Sequence, residues 1–165
     1  MKFELLNTKY HNRSQFDCGV PALNNYLQRI ANQDQKKNLS RTYVLAEQSQ
    51  IIGYYSISAH SVPSENMPKD IKIAHYSSVP FLLLGRLAVS LNFQKQGYGD
   101  ALLYDAFKIT TDMAEKVGIL GMIVDAKDDK AIEFYNKFGF RLLSASHNRL
   151  ILPLSALSSL IKYHN

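Results

Sequence analysis

A single cysteine, Cys18, rules out an internal disulfide and every metal site built from several thiolates. With no histidine near it in the chain, it reads as a small buried hydrophobe rather than a nucleophile. The five histidines show no metal-ligand spacing either, so no metal is expected. Apolar runs stay well short of the roughly 18 residues that span a bilayer. The start Met1-Lys2-Phe3-Glu4 lacks the pattern of a signal peptide, so a cytoplasmic location without membrane contact is expected. Internal repeats, low-complexity tracts and a second region of distinct composition are also missing. The 165 residues, 46% of them hydrophobic, are therefore expected to form a single domain able to bury a core.

What is present is one organising stretch, Phe81 to Ala114. Phe81, Leu82, Leu83 and Leu84, followed by Leu87, Ala88 and Val89, make an apolar run suited to a strand covered on both faces. Leu102, Ala106, Ile109, Met113 and Val117 then recur at helical spacing, with Gly118 as the expected stop. Between them lies Gln94-Lys95-Gln96-Gly97-Tyr98-Gly99, where glycines let main-chain N–H groups turn toward a ligand. The unpaired donors and dipole of a helix start make such a turn a seat for phosphate. Two other phosphate motifs are absent: no Gly-Lys-Ser/Thr ends the turn as in a P-loop, and no third glycine completes a dinucleotide fingerprint. By itself the pattern also fits a plain tight turn.

The remaining elements follow from periodicity and punctuation. Lys2–Leu6 is an expected strand and Asn7–Gln15 a connection. Pro21 opens a helix with Leu23, Leu27, Ile30 and Asp34 marking one side and its end. Arg41–Glu47 and Ile51–His60 flank Gln48-Ser49-Gln50 as a hairpin. Ser61–Pro80, with three prolines, reads as a long connection holding at most a short strand. Ile119–Asp125 is a strand, Asp128 or Asp129 caps a short helix stopped by Gly139, Phe140–Ser144 and Arg149–Leu154 form a closing hairpin, and 155–165 a small helix. This order predicts an α/β fold, a mixed sheet with helices on both sides.

Charge is uneven. The net charge is +5, and Arg29, Lys36, Lys37 and Arg41 face a single nearby acid, Asp34. Such a cluster is either a solvated helix end or a footprint for a polyanion, meaning a nucleic-acid backbone or cofactor phosphates.

Gln-x-x-Gly-x-Gly directly after Leu87-Ala88-Val89 resembles the acetyl-CoA pyrophosphate loop of the GNAT superfamily of N-acetyltransferases. A second segment, Val124 to Phe140, resembles that family's late strand, helix and Phe-Tyr-x-x-Phe-Gly-Phe ending. Phe16-Asp17-Cys18-Gly19, Leu23, Tyr26-Leu27, Ala31, Ser40 to Leu45, Leu84 to Val89 and Val124 to Asp128 are more narrowly similar to the GNAT toxins of bacterial toxin-antitoxin pairs. The resemblance implies a GNAT fold with a mostly antiparallel central sheet, acetyl-CoA as co-substrate, aminoacyl-tRNA as acceptor, a small ribbon-helix-helix-like DNA-binding antitoxin and a homodimer. It further implies that Leu87, Ala88 and Val89 pair with the pantetheine arm, that Gln94, Lys95, Gln96, Gly97, Tyr98, Gly99 and Asp100 hold the pyrophosphate, and that Asn136 contacts the cofactor. By the same resemblance Tyr135 is the catalytic acid, where its surroundings alone also fit a packed aromatic. Lys36, Lys37 and Arg41 would track tRNA phosphates, and Arg86 is either a contact to the tRNA end or a structural ion-pair partner. Lys95 stands where these toxins often have glycine, Ser90 where an acid is usual, and Asp128 where many GNAT enzymes have asparagine.

The central strand carries Arg86 and no acid, so no general base is evident. Freeing a lysine amine at pH 7 costs roughly 4 to 5 kcal/mol and an α-amine roughly 1, so a base-poor site favours an α-amine. Glu47, Glu65 and Asp125 are the acids that the fold can still bring near. Two other readings compete: a GNAT enzyme acting on a small-molecule or protein amine without toxin function, and a non-catalytic CoA-binding module.

Overall fold

The structure, a computed structural model, describes residues 1–143 and 146–162. Main-chain pairing links seven strands: β1 (Lys2–Leu5), β2 (Arg41–Glu47), β3 (Gln50–Pro63), β4 (Ser78–Val89), β5 (Gly121–Asp125), β6 (Arg141–Leu142) and β7 (Arg149–Pro153). They run in the order β1-β2-β3-β4-β5-β7-β6. The β1/β2, β2/β3, β5/β7 and β6/β7 ladders are antiparallel and β4/β5 is parallel, so the predicted mixed, mostly antiparallel sheet is present. The helices are α1 (Pro21–Asn25), α2 (Ala31–Lys36), α3 (Tyr98–Ala114), α4 (Asp129–Asn136) and α5 (Leu154–Lys162). Among the described residues no helix is long and apolar enough to cross a membrane.

The chain forms two compact units. The first comprises Met1–Ser58 and Gly85–Ala106. Its core gathers Leu6, Phe16, Cys18, Tyr26, Leu27, Ala31, Val44, Ala46, Ile51, Tyr54 and Ala88. Cys18 is 6% exposed, as a small buried hydrophobe should be. Helix α3 is fastened to β3 within this unit by the Tyr55 hydroxyl, which donates to Asp105 Oδ2 at 2.5 Å. Gly53 is glycine for want of room: a Cβ there would lie 2.7 Å from Leu102 Cδ1 and 2.9 Å from Ala88 O.

The second unit takes in Ala59–Leu84 and the chain from Phe107 onward. Val62, Met67, Val79, Phe81, Ile123, Leu143 and Ile151 form one of its cores. A ring cluster packs Phe107 against Phe138 and Phe140, with centroids 6.1 Å apart in both pairs.

Several expectations are corrected. The helix opened by Pro21 is interrupted by a π-helical turn, Tyr26–Ile30, in which Ala31 N–H bonds Tyr26 O. The extra residue rotates the buried face, so Tyr26, Leu27 and Ala31 enter the core while Ile30 is left exposed. On α3 the buried stripe is Leu102, Leu103, Ala106, Phe107 and Thr110, and Met113 and Val117 face solvent. Met113 and Val117 share the arc of Leu102 and Ala106, but Met113 stands in the last turn of the helix and Val117 beyond its end, past the buried residues. The helix ends at Ala114, ahead of Gly118. The connection before β4 is shorter than expected, because β3 runs on to Pro63 and β4 begins at Ser78. A Ser64 N–H to Ser77 O bond of 3.0 Å closes it, and Ile71 and Ile73 pack on the neighbouring core. Strand β5 begins at Gly121 rather than Ile119, and β6 is reduced to two residues. Ser144 and 163–165, parts of the expected hairpin and tail helix, lie outside the described residues.

Gly53→Ala should lower stability by about 1 to 3 kcal/mol through this overpacking. Urea denaturation should register it as a lower midpoint at unchanged m value.

Candidate active site

The proposed donor seat lies within the first unit. The parallel ladder between β5 and β4 covers Leu82–Leu84 and stops, while β4 continues through Gly85 to Val89. After Val89 the chain makes a 3-10 turn, Leu91–Phe93, then the loop Gln94–Gly97, and enters α3 at Tyr98. Lys95 and Gly97 both have left-handed backbones, φ +61° and +84°. Glycine adopts that conformation freely and lysine at a cost, which gives a physical reason why Lys95 occupies a glycine-like position.

At the other end of this loop, Ala101 N–H bonds Gly97 O at 3.1 Å. The amides of Tyr98, Gly99 and Asp100 therefore precede the first full helical turn and have no acceptor inside α3. Gln94, Lys95, Gln96 and Gly97 are exposed and the next three residues half-buried. A Cβ at Gly97 would meet no atom within 4 Å, so this side of the loop is open. Exposed donors, an open face and the positive end of a 17-residue helix together suit an anion such as a diphosphate.

The polar side chains of the loop have internal duties. Gln94 Nε2 donates to Val89 O at 2.9 Å and to Cys18 O at 3.0 Å, and Gln96 Nε2 donates to Asn92 O at 3.1 Å. These amide nitrogens shape the loop and leave its main chain to face outward.

Arg86 lies with its Cζ 3.5 Å from the centroid of the Tyr26 ring. No carboxylate pairs with it among the described residues, so a cation–π contact stands in place of the structural ion pair. The Tyr26 hydroxyl in turn donates to Asp34 Oδ2 at 3.1 Å and shares a 2.9 Å bond with Ser40 Oγ.

The four basic candidates divide. Arg29, Lys36 and Lys37 are exposed. Arg41 is a cap: Nη1 donates to Gln35 O at 3.2 Å and Ser40 O at 3.3 Å, and Nη2 to Asn38 Oδ1 at 2.7 Å. Together with Leu39 N–H to Asp34 O, Asn38 N–H to Gln35 O and the +57° φ of Asn38, this is a Schellman ending of α2.

Tyr135 and Asn136 sit on α4, in the second unit. Asp128 caps that helix, its carboxylate accepting Ala131 N–H at 2.8 Å. Tyr135 is 9% exposed, held edge-on by Phe134 and Phe140 with centroids 5.2 and 5.4 Å away. Burial pushes its phenol up to about 12. The other buried tyrosines spend their hydroxyls on Asp34 and Ser40 (Tyr26), Leu23 O (Tyr54) and Asp105 (Tyr55), while no described residue hydrogen-bonds that of Tyr135. Asn136 is exposed at the end of the helix.

Of the remaining acids, Asp125 is gripped by Arg149, Nε to Oδ1 at 2.7 Å and Nη2 to Oδ2 at 2.9 Å. That guanidinium holds its carboxyl below the usual range, which makes it a poor proton acceptor. Glu47 and Glu65 are exposed. Among the described residues no group of three or more His, Cys, Asp or Glu is placed to hold a metal ion.

Residues 38–142 match the acetyltransferase (GNAT) domain family, and the chain belongs to it. Its curated relatives include a probable toxin TacT of Sinorhizobium fredii, 26% identical over 96% of this chain and 93% of the relative. A tRNA-acetylating toxin of Mycobacterium tuberculosis is 30% identical over 90% of this chain and 89% of its own length. Among solved structures, AtaT complexed with acetyl-methionyl-tRNAfMet superposes with a TM-score of 0.87 at 29% identity, covering 96% of this chain and 98% of AtaT. A mutant AtaT bound to acetyl-CoA and the C-terminus of the antitoxin AtaR gives 0.83 at 28% identity, covering 98% and 97%.

Arg86→Met should lose about 0.5 to 2 kcal/mol of stability, and Arg86→Lys should recover only part of it because an ammonium cannot stack on the ring. Thermal unfolding of the three proteins checks this order.

Proposed function

We propose that this protein transfers the acetyl group of acetyl-CoA to the α-amino group of an aminoacyl-tRNA, and that it is the toxin of a toxin-antitoxin pair held inactive by a small DNA-binding antitoxin. The observation that carries the reading is the exposed Gln94–Gly97 loop leading into the acceptor-free amides of α3, in a chain similar along nearly its whole length to tRNA-acetylating toxins.

In this reading the amides of Gly97 to Asp100 hold the diphosphate of acetyl-CoA. The main chain of Leu87 and Val89, past the end of the β5 ladder, aligns the pantetheine arm, and one of their N–H groups polarises the thioester carbonyl. Attack by the neutral amine forms the C–N bond, collapse of the tetrahedral adduct breaks C–S, water takes the amine proton, and the Tyr135 hydroxyl protonates the departing sulfur before regaining a proton from solvent. Base-poor surroundings suit an amine that is already largely neutral. Arg29, Lys36 and Lys37 provide the phosphate-facing charge, and Arg41 supports the helix end beneath them.

The direct test is mass spectrometry of charged tRNA after incubation with the protein and labelled acetyl-CoA. Label should reside on the aminoacyl nitrogen, and a modified free amine or protein lysine with unlabelled tRNA would replace this reading with the small-amine one. Tyr135→Phe should cut kcat by at least about 10²-fold with the CoA dissociation constant unchanged, as measured by calorimetry.

The pH profile carries a second signature. kcat/KM should rise as the α-amine loses its proton near about 8 and then stay level through pH 10, because Tyr135 remains a proton donor until pH approaches about 12. A fall near pH 10 would mark a tyrosine in an ordinary environment, and a rise delayed to about 10.4 a lysine acceptor. Replacing Arg29, Lys36 and Lys37 by alanine should flatten the salt dependence of tRNA binding by about one unit of slope for each phosphate left without its cation. Arg41→Ala should instead lower stability.

A further inference from the structure

The Asp17-Cys18-Gly19 turn lies far from the donor loop in sequence, yet the two are joined at three points within one compact unit. Leu91 N–H donates to Asp17 O at 2.8 Å. Gln94 Nε2 donates to Cys18 O at 3.0 Å while also donating to Val89 O at 2.9 Å, so both hydrogens of one amide bridge the turn and the end of β4. Leu91 also fills the space beside Gly19, where a Cβ would lie 3.1 Å from Leu91 Cδ2, and Gly19 has a φ of +81°.

The turn has a stiffening network of its own. Asp17 Oδ1 accepts Gly19 N–H at 2.8 Å and Asn24 Nδ2 at 2.7 Å, and Asn24 Oδ1 accepts Cys18 N–H at 2.9 Å. These bonds hold the Asp17 carboxyl below its ordinary range. Asn24 belongs to α1, whose first turn is closed by Leu23 and Asn24 N–H groups on Val20 O.

We infer that the Asp17–Gly19 turn positions the diphosphate loop, with the Gln94 side-chain amide as the tie: Asp17 sets acetyl-CoA affinity indirectly, by fixing where the loop amides point. Hydrogen bonds run from the Asp17 carboxylate to Gly19 and Asn24 and from Gln94 and Leu91 to the Cys18 and Asp17 carbonyls, and the main chain carries the tie on from Gln94 to the amides at the start of α3. The inference rests on the reading of Gln94–Gly99 as the diphosphate loop. It assigns to Gln94 a role inside the protein, distinct from contact with the ligand. Because the Asp17 carboxylate acts only as an acceptor of two N–H groups, a neutral carbonyl oxygen in its place suffices.

The experiment uses the full chain and the variants Gln94→Met, Asp17→Ala, Asp17→Asn and the double variant Asp17→Ala/Gln94→Met. Two readouts are taken: hydrogen exchange of the 94–100 amides in the free protein, and calorimetric titration with CoA. Gln94→Met and Asp17→Ala should each speed exchange in 94–100 and weaken CoA binding about tenfold, the scale of one broken hydrogen bond. The double variant should be no worse than the worse single, since both cut the same tie. Asp17→Asn should stay within about twofold of wild type. At saturating acetyl-CoA, the acceptor KM of both single variants should equal that of wild type, a split that general loosening of the fold does not produce.

Should Asp17→Ala not fold, the similarly sized Asp17→Leu, which also lacks an acceptor, and Gln94→Met carry the same comparison. Three results would each overturn the inference: exchange and affinity unchanged in Asp17→Ala or its leucine substitute, losses that add fully in the double variant, or Asp17→Asn as impaired as Asp17→Ala. A wild-type protein that ignores CoA while its variants still show the exchange pattern would sink the diphosphate reading and leave the tie standing.

Discussion

A main-chain N–H at the start of a helix has no carbonyl of its own to bond, and such a donor must reach water or an anion or be left at a cost. The rest of the first unit can be understood as a means of holding Tyr98, Gly99 and Asp100 in that condition. The loop in front of them is exposed, and its glutamine side-chain amides are bonded to main-chain carbonyls of Cys18, Val89 and Asn92. Behind them α3 is sunk into the protein along Leu102, Leu103 and Ala106 and bonded to β3 through Tyr55 and Asp105. The close approach of Gly53 to Ala88 and Leu102 adds a steric stop. A rigid backing and an open front are what preorganised anion recognition requires.

Acid and base chemistry is divided in a correspondingly lopsided way. Several carboxylates are occupied with structure: Asp17 with a turn, Asp34 with Tyr26, Asp105 with Tyr55, Asp125 with Arg149 and Asp128 with a helix cap. Asp17 and Asp125, each accepting two donors, are held in their charged form below the ordinary carboxylate range. Tyr135 is the opposite case, a phenol whose neutral form is favoured by its burial. Such a protein is well supplied with means to give a proton and poorly supplied with means to take one. That asymmetry matches an acyl transfer in which the nucleophile arrives neutral and the leaving group departs as an anion.

Much of this was legible in the residues themselves. The strand-turn-helix around Gly97 and Gly99, the Asp128 cap and the Gly139 stop rest on local backbone requirements, and local requirements are written locally. Periodicity failed where the backbone departs from a regular helix, at Tyr26–Ile30, and where the stripe was extended past the packed part of α3, at Met113 and Val117. The role of Arg86 stayed open because its partner, the Tyr26 ring, lies far back in the chain, and Arg41 looked like a phosphate-facing charge because charge pattern does not show a side chain turned back to cap the helix just before it. Asp17 and Cys18 could be matched to relatives, but hydrogen bonds to Leu91 and Gln94 exist only once the chain has folded back.

The π-helical turn also decides where this segment can change length. Removing one residue between Tyr26 and Ile30 would let the segment close into uninterrupted α-helix, a local gain in regularity. The lost residue and the lost wide turn would cancel, so side chains beyond the deletion would keep nearly their bearing, whereas the same deletion in regular α-helix would swing them by about 100° about the axis. Tyr26 would keep its place over Arg86, and the Asn38 ending would still offer Arg41 the carbonyls it caps. The π turn is therefore a point where this segment can shed a residue without re-aiming its cations, while a deletion in the flanking α-helical turns would turn them away.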